Sequence, residues 1–474
     1  MTIVWTATEA AAATGGSIAA NWQVSGVSID SRTVKAGELF IALQGLHYDG
    51  HDFVATALAK GATAAIVARI PEGIASLKEL LIVSDTRAAL AALARHARVR
   101  SAARVVAITG SVGKTSTKEM LRLVLAEQGP THVSEDNLNN HLGVPLTLAR
   151  MPSATAFVVL EMGMNHAGEL SMISRLARPN VGVITTVEAV HLEFFTSVRG
   201  IADAKAELFT GMNRNGIAIL NRDSKYFDYL ARHALSFGVT CIYSFGFHHD
   251  AEFRLYSYSM TDQGTLVRAS VLEQPATYTL STYGRHWALN SLVVLATVHA
   301  VGGRVSQAAK ALAKVQPLPG RGARQKFLIA AYGGSIEVID ESYNASPVAV
   351  RAAMEVLGAA HPGPCGRRIA VLGDMLELGK GAATLHADLA ASVLDNKIDI
   401  VFTAGPLMAY LHEALPQERR GSHAVNTEVL APQVIAATRP GDVVLVKGSA
   451  CSKTGVILAA LRQHATALSV VPRE

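Results

Sequence analysis

The sequence has little cysteine, and the few cysteines are widely spaced. Cys241, Cys365 and Cys451 are the only three among 474 residues, and none forms a CxxC or CxxxC pair. This spacing argues against a zinc site and indicates a reducing compartment. We expect each cysteine to be a small residue of the hydrophobic core.

Long hydrophobic runs and a secretory leader are also lacking. No stretch approaches the roughly 18 apolar residues needed to cross a bilayer, and the first residues show no basic segment or cleavage pattern. Half of the residues are hydrophobic and 17% are charged, a composition typical of globular rather than disordered chains. We therefore expect a cytoplasmic protein without a membrane span.

Blocks of like charge are missing as well. The net charge is +5 and the pI is near 9.0, but the basic residues are scattered along the chain. A scattered positive charge argues against a nucleic-acid partner and favours small substrates that carry phosphate.

The length and the order of apolar segments predict an α/β chain of about three domains. Residues 1–100 read as a small α/β domain with short strands. Residues 101–317 alternate strands and helices, which predicts a mostly parallel sheet covered on both faces. A linker rich in Pro and Gly, Pro317–Gly322, precedes a third, Rossmann-like domain over 318–474. That domain has no G-x-G-x-x-G motif, so the pattern predicts no dinucleotide there.

The most informative motif is a glycine loop between an apolar strand, 104–108, and a helical segment, 117–125. In such a loop the backbone N–H groups surround phosphates, the lysine reaches the β- and γ-oxygens, and the next hydroxyl can bind Mg²⁺. The sequence reads G-x-x-G-K-T, because Ile108 stands where the full P-loop motif has glycine. An ordinary glycine turn is the alternative to an ATP site made by Gly110, Ser111, Val112, Gly113, Lys114, Thr115 and Ser116.

Two further residues follow predicted strands of the same sheet. Glu161 closes the strand 156–160, at the edge where a second Mg²⁺ ligand belongs, although a strand-end acid in solvent is the alternative. His191 comes after the strand 181–185, and we interpret it as a metal ligand rather than a surface histidine. Imidazole is a less usual ligand of Mg²⁺ than oxygen.

Two polar segments are candidates for substrate contacts. Asn137 and Asn140 lie in an amide-rich stretch, 137–145, that could bind phosphate or carboxylate oxygens but could equally form a turn. In the segment 340–347, Ser346 and Pro347 read as the N-cap and first residue of a helix. Capping does not account for Asp340 and Asn344, which point to a loop that faces a ligand.

Taken in order, these segments resemble the Mur ligase family over nearly the whole chain. Residues 30–53 are similar to its domain that binds uridine diphosphate. Residues 109–116, 137–145, 161–166 and His191 are similar to its ATPase domain. Residues 340–346, 373–379 and 446–449 are similar to its C-terminal domain. The segment 340–345 resembles the branch that attaches D-alanyl-D-alanine, and the Asp-Asn-Pro-Arg tetrapeptide of the MurE-like branch is not present.

The resemblance implies an ATP-dependent ligase that joins D-alanyl-D-alanine to UDP-N-acetylmuramoyl-tripeptide through an acyl phosphate. It implies Lys114, Glu161, His191 and Lys205 as catalytic residues, and Mg²⁺ at two sites on Thr115, Glu161, His191 and a carbamylated Lys205. From the sequence pattern alone Lys205 would be a solvated helical lysine. The resemblance also assigns the nucleotide to Asn290, Arg321 and Asp340, and the substrates to Ser31, Arg32, Asn137, Asn140, Asn344 and Ser346.

Several alternatives stay open. The chain could be another ligase of the superfamily, MurE-like or folylpolyglutamate synthase-like, a P-loop kinase or GTPase, or a nucleotide-regulated binding module without activity. The GTPase motif Asn-Lys-x-Asp is missing. His141 and Trp287 depart from the family pattern, which leaves the local nucleotide contacts open. We expect a monomer, and the third residue of the tripeptide is not specified by the sequence.

Overall fold

The computed structural model describes residues 2–74, 76–190, 192–329 and 333–468, in three successive α/β units. The elements of the first unit are β1 (Trp5–Thr6), α1 (Ala7–Thr14), β2 (Ser17–Ile18), β3 (Gln23–Val24), β4 (Gly26–Ser28), β5 (Glu38–Ile41), α2 (Val54–Ala59), β6 (Ala64–Val67), β7 (Leu80–Ile82) and α3 (Thr86–Arg100). Strands β1 and β3 form an antiparallel pair, and a five-stranded sheet has the order β2-β7-β6-β5-β4. Helix α3 begins at Asp85, whose carboxylate accepts the N–H groups of Arg87 and Ala88.

The second unit carries a nine-stranded sheet. Its elements are β8 (Arg104–Thr109), α4 (Lys114–Ala126), β9 (Thr131–Val133), α5 (Gly143–Ala149), β10 (Phe157–Glu161), α6 (Glu169–Ala177), β11 (Val181–Ile184), α7 (Val198–Ala206), β12 (Ile217–Asn221), α8 (Phe227–Ser236), β13 (Cys241–Gly246), β14 (Phe253–Thr261), β15 (Gly264–Val271), β16 (Gln274–Leu280), α9 (Arg285–Ala300) and α10 (Val305–Ala311). The strand order is β16-β15-β14-β13-β12-β11-β8-β10-β9. Strands β8 to β14 run parallel, and β14, β15 and β16 continue the sheet as an antiparallel meander.

Strand β8 lies where the order of this sheet reverses. The chain leaves β8 through α4 toward β9 and β10 on one side, and returns to β11 on the other side. In open α/β sheets a ligand binds outside the carboxyl ends of the strands at such a point. Strand β8 occupies this central position because five consecutive residues, Val105–Thr109, are buried on both faces of the sheet.

The third unit is a six-stranded sheet of order β17-β18-β22-β19-β20-β21, in which β17 alone is antiparallel. Its elements are β17 (Ala323–Ile329), β18 (Gly334–Glu341), α11 (Pro347–Gly358), β19 (Arg368–Gly373), α12 (Ala382–Ala387), α13 (Leu389–Asp395), β20 (Ile400–Ala404), α14 (Met408–Ala414), β21 (Arg420–Ala424), α15 (Thr427–Ala437), β22 (Val443–Lys447) and α16 (Gly455–Leu468). One hydrophobic core lies on each face of the sheet. This is the doubly wound arrangement expected of the third domain.

The first and second units share one hydrophobic core. Trp5 is fully buried in it, and its indole N–H donates to the Ala149 carbonyl at the end of α5 at 2.8 Å. The Arg100 guanidinium lies 4.0 Å above the Trp5 ring, and Arg150 Nε donates to the Val27 carbonyl at 2.6 Å. The two units are therefore packed as one body, whereas the third unit has cores of its own.

Two expectations from the sequence are changed by the structure. Cysteines are not core residues: Cys365 and Cys451 are exposed and Cys241 is half-buried, because Cys365 lies in a surface loop and Cys451 in a turn beside a cleft. The sheet expected over 101–317 is mostly parallel but ends in an antiparallel part, since β13 is still parallel to β12 and only β14, β15 and β16 are antiparallel. None of the helices in the described residues is long and apolar enough to cross a membrane.

The shared core predicts that a change at Trp5 weakens both units. We expect Trp5→Ala to lower the free energy of unfolding by about 3–5 kcal/mol, because it leaves a cavity and an unpaired Ala149 carbonyl. Urea unfolding followed by circular dichroism measures this loss. Ile3→Ala is the control, because Ile3 lies two residues before Trp5 and is 48% exposed. Equal losses in the two variants would contradict the shared core.

Candidate functional site

A cleft of about 1030 Å³ opens between the second and third units, at the carboxyl ends of β8 and β10. The second unit contributes the glycine loop after β8, the amide-rich loop before α5 and the start of α9. The third unit contributes the loop after β18, the first turns of α11 and the segment after β22. Of the described residues that line the cleft, none belongs to the first unit. The cleft therefore depends on the third unit staying close to the sheet of the second.

The glycine loop is held open by the segment that follows β11. Gly113 has a φ of 86°, and a Cβ built on it would lie 2.8 Å from Asn290 Oδ1. The Thr185 hydroxyl donates to the Val112 carbonyl at 2.6 Å, and the Ser111 N–H donates to the Thr186 carbonyl at 2.9 Å. Helix α4 begins at this loop without a side-chain cap. Its first N–H groups thus remain available for an anion.

Lys114 bends back over the same loop. Its ammonium group donates to the Gly110 carbonyl at 2.7 Å. Burial lowers the pKa of Lys114; the nearby Glu161 carboxylate acts in the opposite sense, and Arg321 lowers the pKa further. The lysine therefore lies within reach of any phosphate that the loop binds.

Glu161 presents one paired and one unpaired oxygen to the cleft. The side chain is only 2% exposed, and its Oε1 accepts from Asn139 Nδ2 at 3.0 Å. Its Oε2 is buried and has no hydrogen-bond partner. A buried oxygen of this kind costs free energy unless a cation or a hydrogen-bond donor lies beside it. The Thr115 hydroxyl lines the same cleft, and a carboxylate and a hydroxyl oxygen are suitable ligands for a hard divalent cation such as Mg²⁺.

Lys205 lies on α7 and lines the same cleft. It is 2% exposed, so its interpretation from the pattern alone as a solvated lysine is wrong. Its ammonium forms no hydrogen bond or ion pair with the residues that the structure describes. Burial, together with the charge of Lys114, holds the pKa of Lys205 well below its ordinary value. His191, the other predicted metal ligand besides Thr115, Glu161 and Lys205, lies outside the described residues.

The third unit supplies a second polar wall. Lys447 is buried at the end of β22, and its ammonium donates to Glu341 Oε2 and to the Asn344 carbonyl, both at 3.0 Å. Ser346 is the N-cap residue of α11 and Pro347 its first residue, as predicted. The Ser346 hydroxyl makes no capping bond, however, and is buried without a partner where it lines the cleft. This hydroxyl is therefore free to bind a ligand.

Most of the residues predicted from the sequence line this cleft together. They are Gly110, Ser111, Val112, Gly113, Lys114, Thr115, Ser116, Asn137, Asn140, Glu161, Lys205, Asn290, Arg321, Asn344 and Ser346. His141 and Trp287, the two departures from the family pattern, line it too. Arg321 stacks over the Tyr343 ring with its guanidinium carbon 3.9 Å from the ring centre. The Asn140 side chain also caps α5, by accepting the Gly143 N–H at 2.9 Å.

Three predicted residues are not among those that line the cleft. The Asp340 carboxylate accepts the Gly320 N–H at 2.9 Å and the Ser342 hydroxyl at 2.6 Å, so it fastens the linker to β18. Ser31 and Arg32 are in the first unit, where Arg32 pairs with Asp30 at 2.7 Å. This pairing lowers the pKa of Asp30.

The sequence analysis missed several residues that shape the site. Asn139 stood inside the amide-rich stretch, and Lys447 stood inside the C-terminal segment that resembles the family, so both could have been found. Thr185 and Lys118 carry no signal in the sequence, because a threonine after a strand and a lysine on a helix are ordinary surface residues. Their roles become visible only through contacts between distant segments.

Residues 108–298 match the family described as Mur ligase middle domain, residues 23–98 the Mur ligase family catalytic domain, and residues 326–450 the Mur ligase glutamate ligase domain. A relative from Rickettsia prowazekii, named UDP-N-acetylmuramoyl-tripeptide–D-alanyl-D-alanine ligase, is 34% identical over 94% of this chain and 97% of its own.

Two solved structures named MurF are also similar to this chain. A crystal structure of MurF from Acinetobacter baumannii is similar with a TM-score of 0.84 and 28% identity, over 97% of this chain and 99% of the other. MurF from Thermotoga maritima in complex with ADP is similar with a TM-score of 0.78 and 27% identity, over 93% of this chain and 98% of the other.

The close approach of Gly113 to Asn290 predicts a specific effect of a single methyl group. We expect Gly113→Ala to weaken ADP binding at least about tenfold, because the new Cβ must displace the Asn290 amide. The matched control is Gly302→Ala, since Gly302 has a similar φ of 79° and no atom within 4 Å of its Cβ position. Calorimetric titration with ADP compares the two. Equal losses would show that backbone strain alone, and not the contact with Asn290, limits this position.

Proposed function

Because the chain belongs to the Mur ligase family, we propose that it is the ATP-dependent ligase that joins D-alanyl-D-alanine to UDP-N-acetylmuramoyl-tripeptide. The products are UDP-N-acetylmuramoyl-pentapeptide, ADP and phosphate, in the synthesis of peptidoglycan precursors. One observation carries the proposal: a single cleft joins an ATP-type phosphate loop to the wall formed by Asn344 and Ser346. The relative that is 34% identical over 94% of this chain bears the name of this reaction.

The first step activates a carboxylate. An oxygen of the terminal carboxylate of the tripeptide attacks the γ-phosphorus of ATP, the bond from that phosphorus to the β–γ bridging oxygen breaks, and ADP leaves. Lys114 and the first N–H groups of α4 hold the β- and γ-phosphate oxygens in place. Mg²⁺ held by Thr115 and Glu161 would neutralise charge on these oxygens.

The second step forms the amide bond. The amine of D-alanyl-D-alanine attacks the acyl carbon, the nitrogen loses a proton, and the carbon–oxygen bond to phosphate breaks. Water must be kept from the acyl phosphate while both substrates are bound, and the walls of the two units serve this purpose. We assign Asn344 and Ser346 to the incoming dipeptide, and Asn137 and Asn140 to the tripeptide end.

The remaining assignments follow the family. Asn290, Arg321 and Asp340 hold the nucleotide, Asp340 acting through the linker that carries Arg321. Ser31 and Arg32 bind the uridine diphosphate end of the substrate, outside the cleft. We propose that the enzyme works in the cytoplasm as a monomer.

We propose that Lys205 is carbamylated. Its lowered pKa leaves more of the amine neutral, and only a neutral amine attacks CO₂. A nitrogen–carbon bond forms and one proton is released to solvent, so a buried neutral amine becomes an anion. That anion, together with His191, could support a second Mg²⁺.

The proposed reaction predicts which substrates release phosphate. We expect phosphate release only when ATP, UDP-N-acetylmuramoyl-tripeptide and D-alanyl-D-alanine are all present, with single D-alanine and glutamate as comparison acceptors. Use of a single amino acid in place of the dipeptide would favour the alternative, a MurE-like or folylpolyglutamate synthase-like ligase. Nucleotide binding without phosphate release would point to a binding module instead.

Carbamylation predicts a dependence on bicarbonate. We expect added bicarbonate to raise the activity of enzyme kept free of CO₂, and to have no effect on Lys205→Ala. Since the neutral fraction of an amine falls as the pH falls through its pKa, the stimulation should fade on acidification. It should persist below the pH at which an ordinary lysine would lose it, because the pKa of Lys205 is lowered. The control is Lys310→Ala, an exposed lysine of α10. Full activity of Lys205→Ala would remove this role.

A further inference from the structure

Lys118 is a buried lysine that no step of the reaction uses. It lies on α4, close to one turn after Thr115, and is 1% exposed. Its ammonium donates to the Ser134 carbonyl at 2.8 Å and the Asp136 carbonyl at 3.1 Å, and lies 3.1 Å from Glu119 Oε1. All three of its N–H bonds thus have an acceptor nearby. Burying an ammonium group without such partners would cost free energy. The three acceptors therefore favour one position of the Lys118 side chain.

The carbonyls that Lys118 binds belong to the start of the loop between β9 and α5. Asp136 has a φ of 43°, in the left-handed region that a residue with a side chain adopts only at a cost. The contact with Lys118 holds the loop in this conformation. Ser134 is bound to β10 as well: its N–H donates to the Val159 carbonyl at 3.0 Å, and its Oγ accepts the Glu161 N–H at 3.2 Å.

The same loop carries the residue that orients Glu161. Asn139 donates from Nδ2 to Glu161 Oε1 at 3.0 Å, and its carbonyl accepts the Gly163 N–H at 2.8 Å. The loop is thus fixed at its start by Lys118 and further along by the residues at and after the end of β10. Through this loop α4, which carries Thr115, is linked to the carboxylate of Glu161.

We propose that Lys118 is a positioning residue that fixes, through Asn139, the direction of the Glu161 carboxylate relative to Thr115. Lys118 thereby sets the affinity of the site for Mg²⁺ bound with nucleotide. A methionine in its place would fill a similar volume but leave the Ser134 and Asp136 carbonyls unpaired, and the loop would be free to shift. The inference rests on the proposed Mg²⁺ site and does not depend on which peptide is joined.

The test measures ADP binding by calorimetry over a series of Mg²⁺ concentrations, so that no catalysis is needed. We expect Lys118→Met to raise the Mg²⁺ concentration for half-maximal enhancement of ADP binding about tenfold, a size typical of residues that support a metal ligand. ADP binding without Mg²⁺ should change less than twofold. Lys314→Met is the matched control, because Lys314 is exposed and pairs at 2.8 Å with Glu127 at the other end of α4.

A double-mutant cycle with Asn139→Ala separates positioning from general destabilisation. If Lys118 acts through Asn139, its substitution adds little to the Mg²⁺ shift that Asn139→Ala already produces. Additive shifts, or an unchanged Mg²⁺ dependence in folded Lys118→Met, would overturn the proposal. Lys118→Gln, which retains an amide donor, should give a smaller shift than Lys118→Met. Failure of both Lys118 variants to fold would assign the residue a purely structural role.

The same titration separates this inference from the function on which it rests. If ADP binding to the unchanged protein does not depend on Mg²⁺, the proposed metal site fails and the role of Lys118 fails with it. If that binding depends on Mg²⁺ but Lys118→Met leaves the dependence unchanged, only the positioning role fails.

Discussion

The ammonium groups of Lys114, Lys205 and Lys447 and the buried carboxylate of Glu161 line a single cleft. Burial lowers the pKa of Lys114 and that of Lys205 below the ordinary value of lysine, and the Glu161 carboxylate is only partly paired. Burying an excess of positive charge costs free energy in the absence of ligand, and a bound polyphosphate offsets that cost. Much of the surrounding structure can be understood from this constraint. Hydrogen bonds made by Asn139, Ser134 and Thr185 fix the side chain of Glu161, the end of β10 and the glycine loop around these charged groups.

The second and third units contribute different residues to the cleft. The second unit alone provides the phosphate loop, Glu161 and Lys205, whereas the third unit provides Asn344, Ser346 and the buried Lys447. The two units also touch beside the cleft, where the Glu193 N–H donates to the Glu377 carbonyl at 3.2 Å. Arg321 lies on the linker between them and stacks on Tyr343 of the third unit. A movement of the third unit would therefore carry Arg321 toward or away from the glycine loop.

The sequence predicted those parts of the site that depend on local pattern. The apolar strand before Gly110 and the helix after Lys114 identify the phosphate loop, and a carboxylate at the end of a parallel strand identifies Glu161. Burial of a charged helical residue leaves no such pattern, so neither Lys118 nor the buried state of Lys205 could be predicted from periodicity. The joint core around Trp5 could not be predicted either, because it unites residues far apart in the chain, Trp5 and Ala149. The prediction that Cys365 and Cys451 are core residues was wrong, because exposure depends on how distant segments pack and not on the residue type alone.

The joint core also bears on how such proteins can be divided and recombined. The first unit covers part of its hydrophobic surface with α5 and neighbouring strands of the second, so a cut near Ser101 would expose apolar surface on both pieces. A cut within the linker 317–322 separates units whose buried core residues are distinct, and Tyr283 is the residue of the second unit that the described cores of the third show packed against them. Recombination between related enzymes would thus preserve folding at the linker and lose it near Ser101. The chain thus contains three units, of which the first two are packed as one body.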